Sequence, residues 1–504
     1  MFTQTWRTHW GLSTDPFACE DADKDSVLGR VDPAAVHSGF DRIFGDPASP
    51  APGIVFGEKG SGKSGLRRMM RRRLAAHNEA QPNARVFVVE YVDFDGHIEA
   101  LQRQLTGGKR RADADQALAA WRLSDHLDAI LSLAVTGLVD GLLDGKLTLG
   151  PPAAKQLVDL HLATALYYRS RTRTPSEALI ALARQLGAPG RGAGGSTIGV
   201  TLLSLLSLAV GVAPFVAPSI PELADWTFLT DNRGAFAGAG AGMLAGLWSQ
   251  RAYARRKLRL SAIDATRALR VISGDHEPLL RVLSQMGAKE RGELLLPHGG
   301  EEAVRFEYLQ RVLSLLEASG HNGLYVLVDR VDEPTLLTDG GDRMREFVRS
   351  VLDIKLLQHP GLALKLFLPI EMESIWRAAS AKQLKRMRLD KSNLVPELKW
   401  TGRELFEIAN RRLAACTDET SRARSLSDLL GDDLPLEHVL ESFNTLATPR
   451  YAFGFMSEVL LQHMKDLPED LSAEDGRWHL SLAGFDVVRA SWIDRAGVLR
   501  RTLN

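Results

Sequence analysis

The sequence predicts an α/β protein: a five-stranded, mostly parallel P-loop sheet with a helical insertion, a two-helix transmembrane hairpin and a C-terminal helical lid. Three observations predict it. A short apolar strand, Ile54-Val55-Phe56, runs into a loop fitting G-x-x-x-x-G-K-[ST], and a helical run to His77 follows. A second apolar strand, Leu324 to Val328, ends in Asp329-Arg330-Val331-Asp332-Glu333; positions 63 and 329 are 266 apart, where two βαβ steps use only ~60 residues. Within that excess lie two long uncharged runs.

The loop is Gly57, Glu58, Lys59, Gly60, Ser61, Gly62, Lys63 and Ser64, and these residues are the expected binding set for ATP. Glycines without a Cβ let the backbone turn several N–H groups toward one anion, and the helix that follows adds its positive end. Lys63 supplies a point charge for the outer phosphates, and the Ser64 hydroxyl suits a magnesium ion. A surface turn with a solvated lysine fits the bare pattern too; the strand before it, the helix after it and the acids downstream favour the nucleotide site. The arginines that follow, Arg67, Arg68, Arg71, Arg72 and Arg73, are expected to form a solvated helix face rather than an anion-binding surface.

Composition bounds the rest. A chain of 504 residues exceeds the size of a single core, and 45% hydrophobic with 25% charged residues is the make-up of a folded protein. Lys+Arg and Asp+Glu are 62 each, so nucleic acid is not indicated as a partner. Cys19 and Cys416 are too few and too far apart for a disulfide framework, which suits a reducing cytoplasm, and Met1 to Gly11 lacks the apolar core of a secretory signal.

Six segments are expected: 1–105 as the N-terminal part of the nucleotide domain, 106–193 as a helical insertion, 194–250 as the transmembrane hairpin, 251–320 as a helical return, 321–400 as the C-terminal part of the nucleotide domain and 401–504 as the lid. In the first, Trp10 to Phe17 is a turn-rich lead-in whose aromatics either enclose an adenine base or pack beneath the first helix, and Asp32 to Phe44 reads as a helix capped by Asp32. Arg85 to Val92 is a strand buried on both faces. Ala117 to Leu186 is helical, broken at Gly150-Pro151-Pro152; His126 and His161 lack metal-ligand spacing.

Gly194 to Pro221 is uncharged for 28 residues, enough to cross a bilayer, and Gly234 to Gln250 for 17, or about 25 Å. Gly234, Gly238, Gly242 and Gly246 recur every fourth position and are expected to form the face on which the two spans meet. Arg251, Arg255, Arg256, Lys257 and Arg259 follow the second run, while the connecting turn holds Glu222, Asp225 and Asp231 against Arg233 alone. The charge bias places the turn outside and both flanks in the cytoplasm, giving a two-span protein of the cytoplasmic membrane. A buried hairpin of a soluble protein is the alternative.

Leu258 to Gly287 and Glu302 to Ser319 read as helices. Asp329, at the end of its strand, is expected to hold magnesium with Ser64, and Glu333 or Asp332 to position the attacking water, with Glu333 favoured for its reach. Leu362 to Pro369 and Asn393 to Leu398 read as further strands; Thr401 to Ala415, Pro435 to Leu446 and Pro449 to about Lys465 read as lid helices.

Five strands with the loop on the first, an acidic third and a helical lid resemble the additional-strand (ASCE) P-loop ATPases of the AAA+ and STAND group. The membrane pair between the two motifs is similar to the KAP family of membrane-associated P-loop NTPases. The resemblance rests on Gly57 to Ser64, the hairpin, the Asp329 strand, Trp400 with the helix after it, and Thr448-Pro449-Arg450. It implies that Arg450 reaches the γ phosphate from the lid as a second-sensor arginine; a capping or surface arginine is the other reading. The chain departs from the family pattern where Arg330 directly follows Asp329 and where Pro369-Ile370-Glu371 ends the fourth strand without the Asn or Thr of a first sensor. The function so implied is a membrane-anchored ATPase that binds and hydrolyses ATP with Mg2+ to switch conformation or assembly, as a homo-oligomer or with a protein partner, in bacterial signalling or phage defence. A secretion-type assembly ATPase, suggested by the Trp10 to Phe17 lead-in, and a nucleotide-gated scaffold without turnover are the alternatives.

Overall fold

Near-continuous apolar runs suit strands covered on both faces. The computed structural model, which describes residues 2–18, 21–31, 37–107, 113–189, 194–220, 228, 231–333, 341–374, 393–468 and 471–502, has five strands: β1 (Gly53–Gly57), β2 (Arg85–Tyr91), β3 (His321–Val328), β4 (Leu362–Pro369) and β5 (Leu394–Val395). β1, β3 and β4 are buried almost throughout, whereas β2, expected to be buried on both faces, is an edge strand only partly buried. All pair in parallel, in the order β2-β3-β4-β1-β5. Gly57 stands beside Pro369 and Val328 beside Leu366, so the loop leaving β1 and the acids leaving β3 emerge at one edge of the sheet with β4 between them. The carboxyl edge of a parallel sheet is where such folds bind ligands.

The chain separates into two compact units, residues 1–95 with 320–504, and residues 96–319. In the first, the helix Lys63–Ala80 packs on β2 and β4. The lid helices Gly402–Ala414, Leu436–Asn444, Pro449–Asp466 and Leu482–Thr502 join through aromatic edges: Phe443 meets Phe406 and Phe455, and Phe455 meets Phe485 and Trp492. Ahead of the turn-rich lead-in stands a helix that the sequence did not lead one to expect, Phe2–Trp10, packed on Pro449–Asp466. Trp6 and Trp10, one turn apart, are both buried; the Trp6 indole donates to the Trp478 carbonyl at 3.3 Å. Phe17 stacks on Phe453 of the lid, so this aromatic is a packing residue. Of the helix expected over Asp32 to Phe44, the described residues hold Phe40–Phe44, with 37–39 outside it; positions 32–36 lie outside the described residues. At 37–39 the His37 Nδ1 accepts from the Gly39 amide at 2.8 Å, a local bond that competes with a helical turn.

In the second unit, Leu123–Leu143, Ala154–Tyr167, Pro175–Gln185, Glu277–Gln285 and Glu302–Ala318 pack together. Leu123–Leu143 is the one described helix long and apolar enough to cross a membrane, but 67% of its apolar window is buried inside the unit. It also carries Asp128, fully buried and bound by the Arg305 guanidinium at 3.1 Å, which is the chemistry of a core helix. His161, likewise buried, has its Nδ1 at 2.8 Å from the Leu157 carbonyl.

The hairpin region forms two helices, Gly194–Val216 and Arg233–Ala268, packed along each other. The second has 36 residues, about 54 Å, and absorbs the start of the helix expected at Leu258; Glu277–Gln285 is separate. The helices approach at Gly211 and Gly240, where a Cβ added to Gly240 would lie 2.7 Å from the Gly211 Cα. This corrects the expected seam. Gly234, Gly238, Gly242 and Gly246 face open space, because the alternating Gly-Ala run offers more than one small face and the contact selects the one opposite Gly211.

Candidate functional site

The loop takes the shape its glycines permit. Gly60 and Gly62 have φ of 88° and 94°, and a Cβ on Gly57 would strike the Ser61 hydroxyl at 2.3 Å. The helix then begins at Lys63, whose ammonium donates to the Gly57 and Glu58 carbonyls at 2.7 and 3.0 Å. Burial lowers its pKa; Asp332, Asp329 and Glu371 oppose that shift, in that order, and Arg450 adds to it.

The acids meet the loop from β3. Asp329 is buried and accepts a hydrogen bond from Ser64, while the Arg67 Nε faces its other side at 3.1 Å. Burial raises its pKa, chiefly opposed by Arg67. The two residues expected to hold magnesium are thus adjacent. Arg330, next in sequence, has a left-handed φ of 62° and reaches Asp21 at 3.0 Å, Asp23 at 2.9 Å and Glu333 at 3.4 Å.

The lid closes the loop from the other side. The Trp400 indole donates to the Ser61 carbonyl at 2.7 Å, and the Arg450 amide donates to the Gly60 carbonyl at 3.4 Å. The Arg450 side chain lies over Gly60, leaving a buried Nε without a hydrogen bond.

Between these parts is a cavity of about 460 Å³. Of the expected residues, Lys59, Gly60, Gly62, Lys63, Ser64, Asp329, Asp332, Glu333 and Arg450 line it; Gly57, Glu58 and Ser61 shape the loop from behind.

The arginine run is only in part the expected solvated face: Arg71 is exposed beside Glu90 and Arg73 is partly exposed against Asp41. Arg67 is buried and bridges Asp23, Glu90 and Asp329. Arg68 binds the Ala22 and Asp25 carbonyls, and Arg72 those of Leu28 and Val31. Their forked donors suit a segment whose carbonyls lack sheet partners. The acids of the N-terminal segment are shared out: Asp23 pairs with Arg67 and Arg330, Asp21 with Arg330, and Asp25 with Arg412. Asp25 and Arg412, a buried ion pair at the cavity wall, were not singled out by the sequence reading. Compared with known proteins, the chain matches no family description, no curated protein and no solved structure.

Proposed function

We propose that the protein is a membrane-anchored P-loop NTPase that binds ATP with Mg2+ and hydrolyses it, of the additional-strand class to which the KAP, AAA+ and STAND proteins belong. The observation that carries the reading is the convergence of Lys63, Ser64, Asp329 and Arg450 on one cavity at the carboxyl edge of a parallel sheet. The strand order supports the class, since β4 lies between the loop strand β1 and the acid strand β3 as an additional strand. The left-handed glycines and the helix start at Lys63 suit phosphate oxygens, and the Ser64 and Asp329 oxygens suit a magnesium ion, which would draw charge from the outer phosphates. Arg450, with a free Nε donor, would neutralise charge at the γ phosphate. Asp332, which contributes most to opposing the shift of Lys63, is better disposed to orient water than Glu333, which Arg330 engages.

The membrane reading rests on 194–250. Leu202, Leu205, Leu206, Leu208 and Phe215 on one helix, and Met243 and Trp248 on the other, are exposed. A contiguous apolar surface of this kind suits lipid, with the basic run from Arg251 at the cytoplasmic side. Roles in signalling or defence, and association into homo-oligomers or with a partner, extend the same reading.

Replacing Lys63 with Ala is the direct test. The loop amides would keep their positions while the site lost its buried charge, so ATP affinity measured by calorimetry should fall at least ~100-fold. Undiminished affinity would remove the loop from the account.

A further inference from the structure

The cavity wall includes four apolar side chains: Leu28 of the N-terminal segment, Met69 of the loop helix, and Ile408 and Phe453 of the lid. Arg412 stands in this wall. It is 1% exposed, its Nε donates to the Pro16 carbonyl at 2.7 Å, its Nη1 binds Asp25, and its guanidinium carbon lies 4.6 Å from the centre of the Phe453 ring. The Nη2 has no hydrogen-bond partner among the described residues. A buried charged donor left without an acceptor is costly, and this one belongs to a residue that lines the cavity.

We propose that Arg412 determines base specificity: its Nη2 donates to a ring-nitrogen acceptor of a purine held among Phe453, Ile408 and Met69. This rests on the nucleotide reading above. Asp25 positions the donor, because its second carboxylate oxygen is taken by the Val27 and Leu28 amides at 2.9 and 3.0 Å and so cannot swing away without breaking that turn. Asp25 is taken up by Nη1 and by the two amides, so the Nη2 donor is left for an acceptor on the base.

The test separates base from phosphate. Affinities of the full-length protein for Mg-ATP, for Mg-tripolyphosphate and for the 1-deaza, 3-deaza and 7-deaza analogues of ATP are compared with those of Arg412→Met and Arg412→Lys. A hydrogen bond to a charged donor corresponds to roughly tenfold or more in affinity. The wild-type protein should bind one of the three analogues about tenfold more weakly than ATP. Arg412→Met should lose about tenfold for ATP, none for tripolyphosphate, and all discrimination against that analogue, with Arg412→Lys recovering part of it. Equal binding of all three analogues by the wild-type protein overturns the proposal even if the variants fail to fold. Equal loss for ATP and tripolyphosphate in Arg412→Met also overturns it, by assigning the residue a structural role. Tight tripolyphosphate binding with no preference for ATP would reject the base contact while sparing the loop; absence of both would reject the loop reading and the proposal with it.

Discussion

Arg330 occupies a backbone region that costs a residue with a Cβ about 1–3 kcal/mol, and it does so directly after the acid expected to hold magnesium. Its ion pairs with Asp21, Asp23 and Glu333 make the strained position a junction between the N-terminal segment and the acid cluster. Glu333 is therefore engaged, and burial, the largest influence on it, raises its pKa. Asp332→Asn should retain Mg-ATP binding while lowering turnover by about tenfold or more, and Glu333→Gln should lower it less, because an acid that orients water acts chiefly in the transition state. Phosphate release and ATP affinity are measured on both variants. Parental turnover in both would leave the scaffold without hydrolysis as the better reading, and the reverse ranking would restore Glu333. The loop was legible in the sequence because Gly57 to Ser64 is a local pattern whose geometry its own glycines dictate. Arg412 and Trp400 were not legible as cavity and loop contacts in that way: each acts more than 300 positions from its partner, Asp25 or Ser61, and only the packing of the lid brings them together.

Elements with a strong period or a clear cap were legible as well. Thr401 caps Gly402–Ala414 through the Glu404 amide at 3.2 Å, and Leu362–Pro369 is apolar throughout. The hairpin was legible as two uncharged runs, but not in its register, since a repeating Gly-Ala run presents equivalent faces and the partner helix decides among them. The exposed apolar surface of these helices makes the anchor testable as an element. Replacing residues 194–250 by a flexible linker should move the protein from the membrane pellet to the soluble fraction with ATP affinity within about threefold of the parent, because the sheet draws no strand from that region. Continued pelleting without aggregation would locate the anchor elsewhere, and lost ATP binding would show that the sheet depends on the region.

At the scale of the molecule, the sheet is assembled from two distant stretches of chain. β1 and β2 are consecutive in sequence yet never neighbours: β2 pairs with β3, and β1 with β4 and β5. Every strand partner of the glycine loop's own strand is therefore encoded after residue 319, beyond the whole of the second unit. On a ribosome adding ~5–20 residues per second, the ~305 residues between β1 and the first of these partners are a wait on the order of 15–60 s, during which the apolar helices of 194–250 have already left the exit tunnel. Ribosome-arrested chains ending near residue 320 should accordingly retain no ATP analogue, whereas chains released after residue 504 should. Retention by the shorter chains would show that the loop matures alone. On the proposed reading, the candidate site is completed only after the hairpin has been made, so the order of translation would keep an unfinished chain from turning over nucleotide before it reached a bilayer.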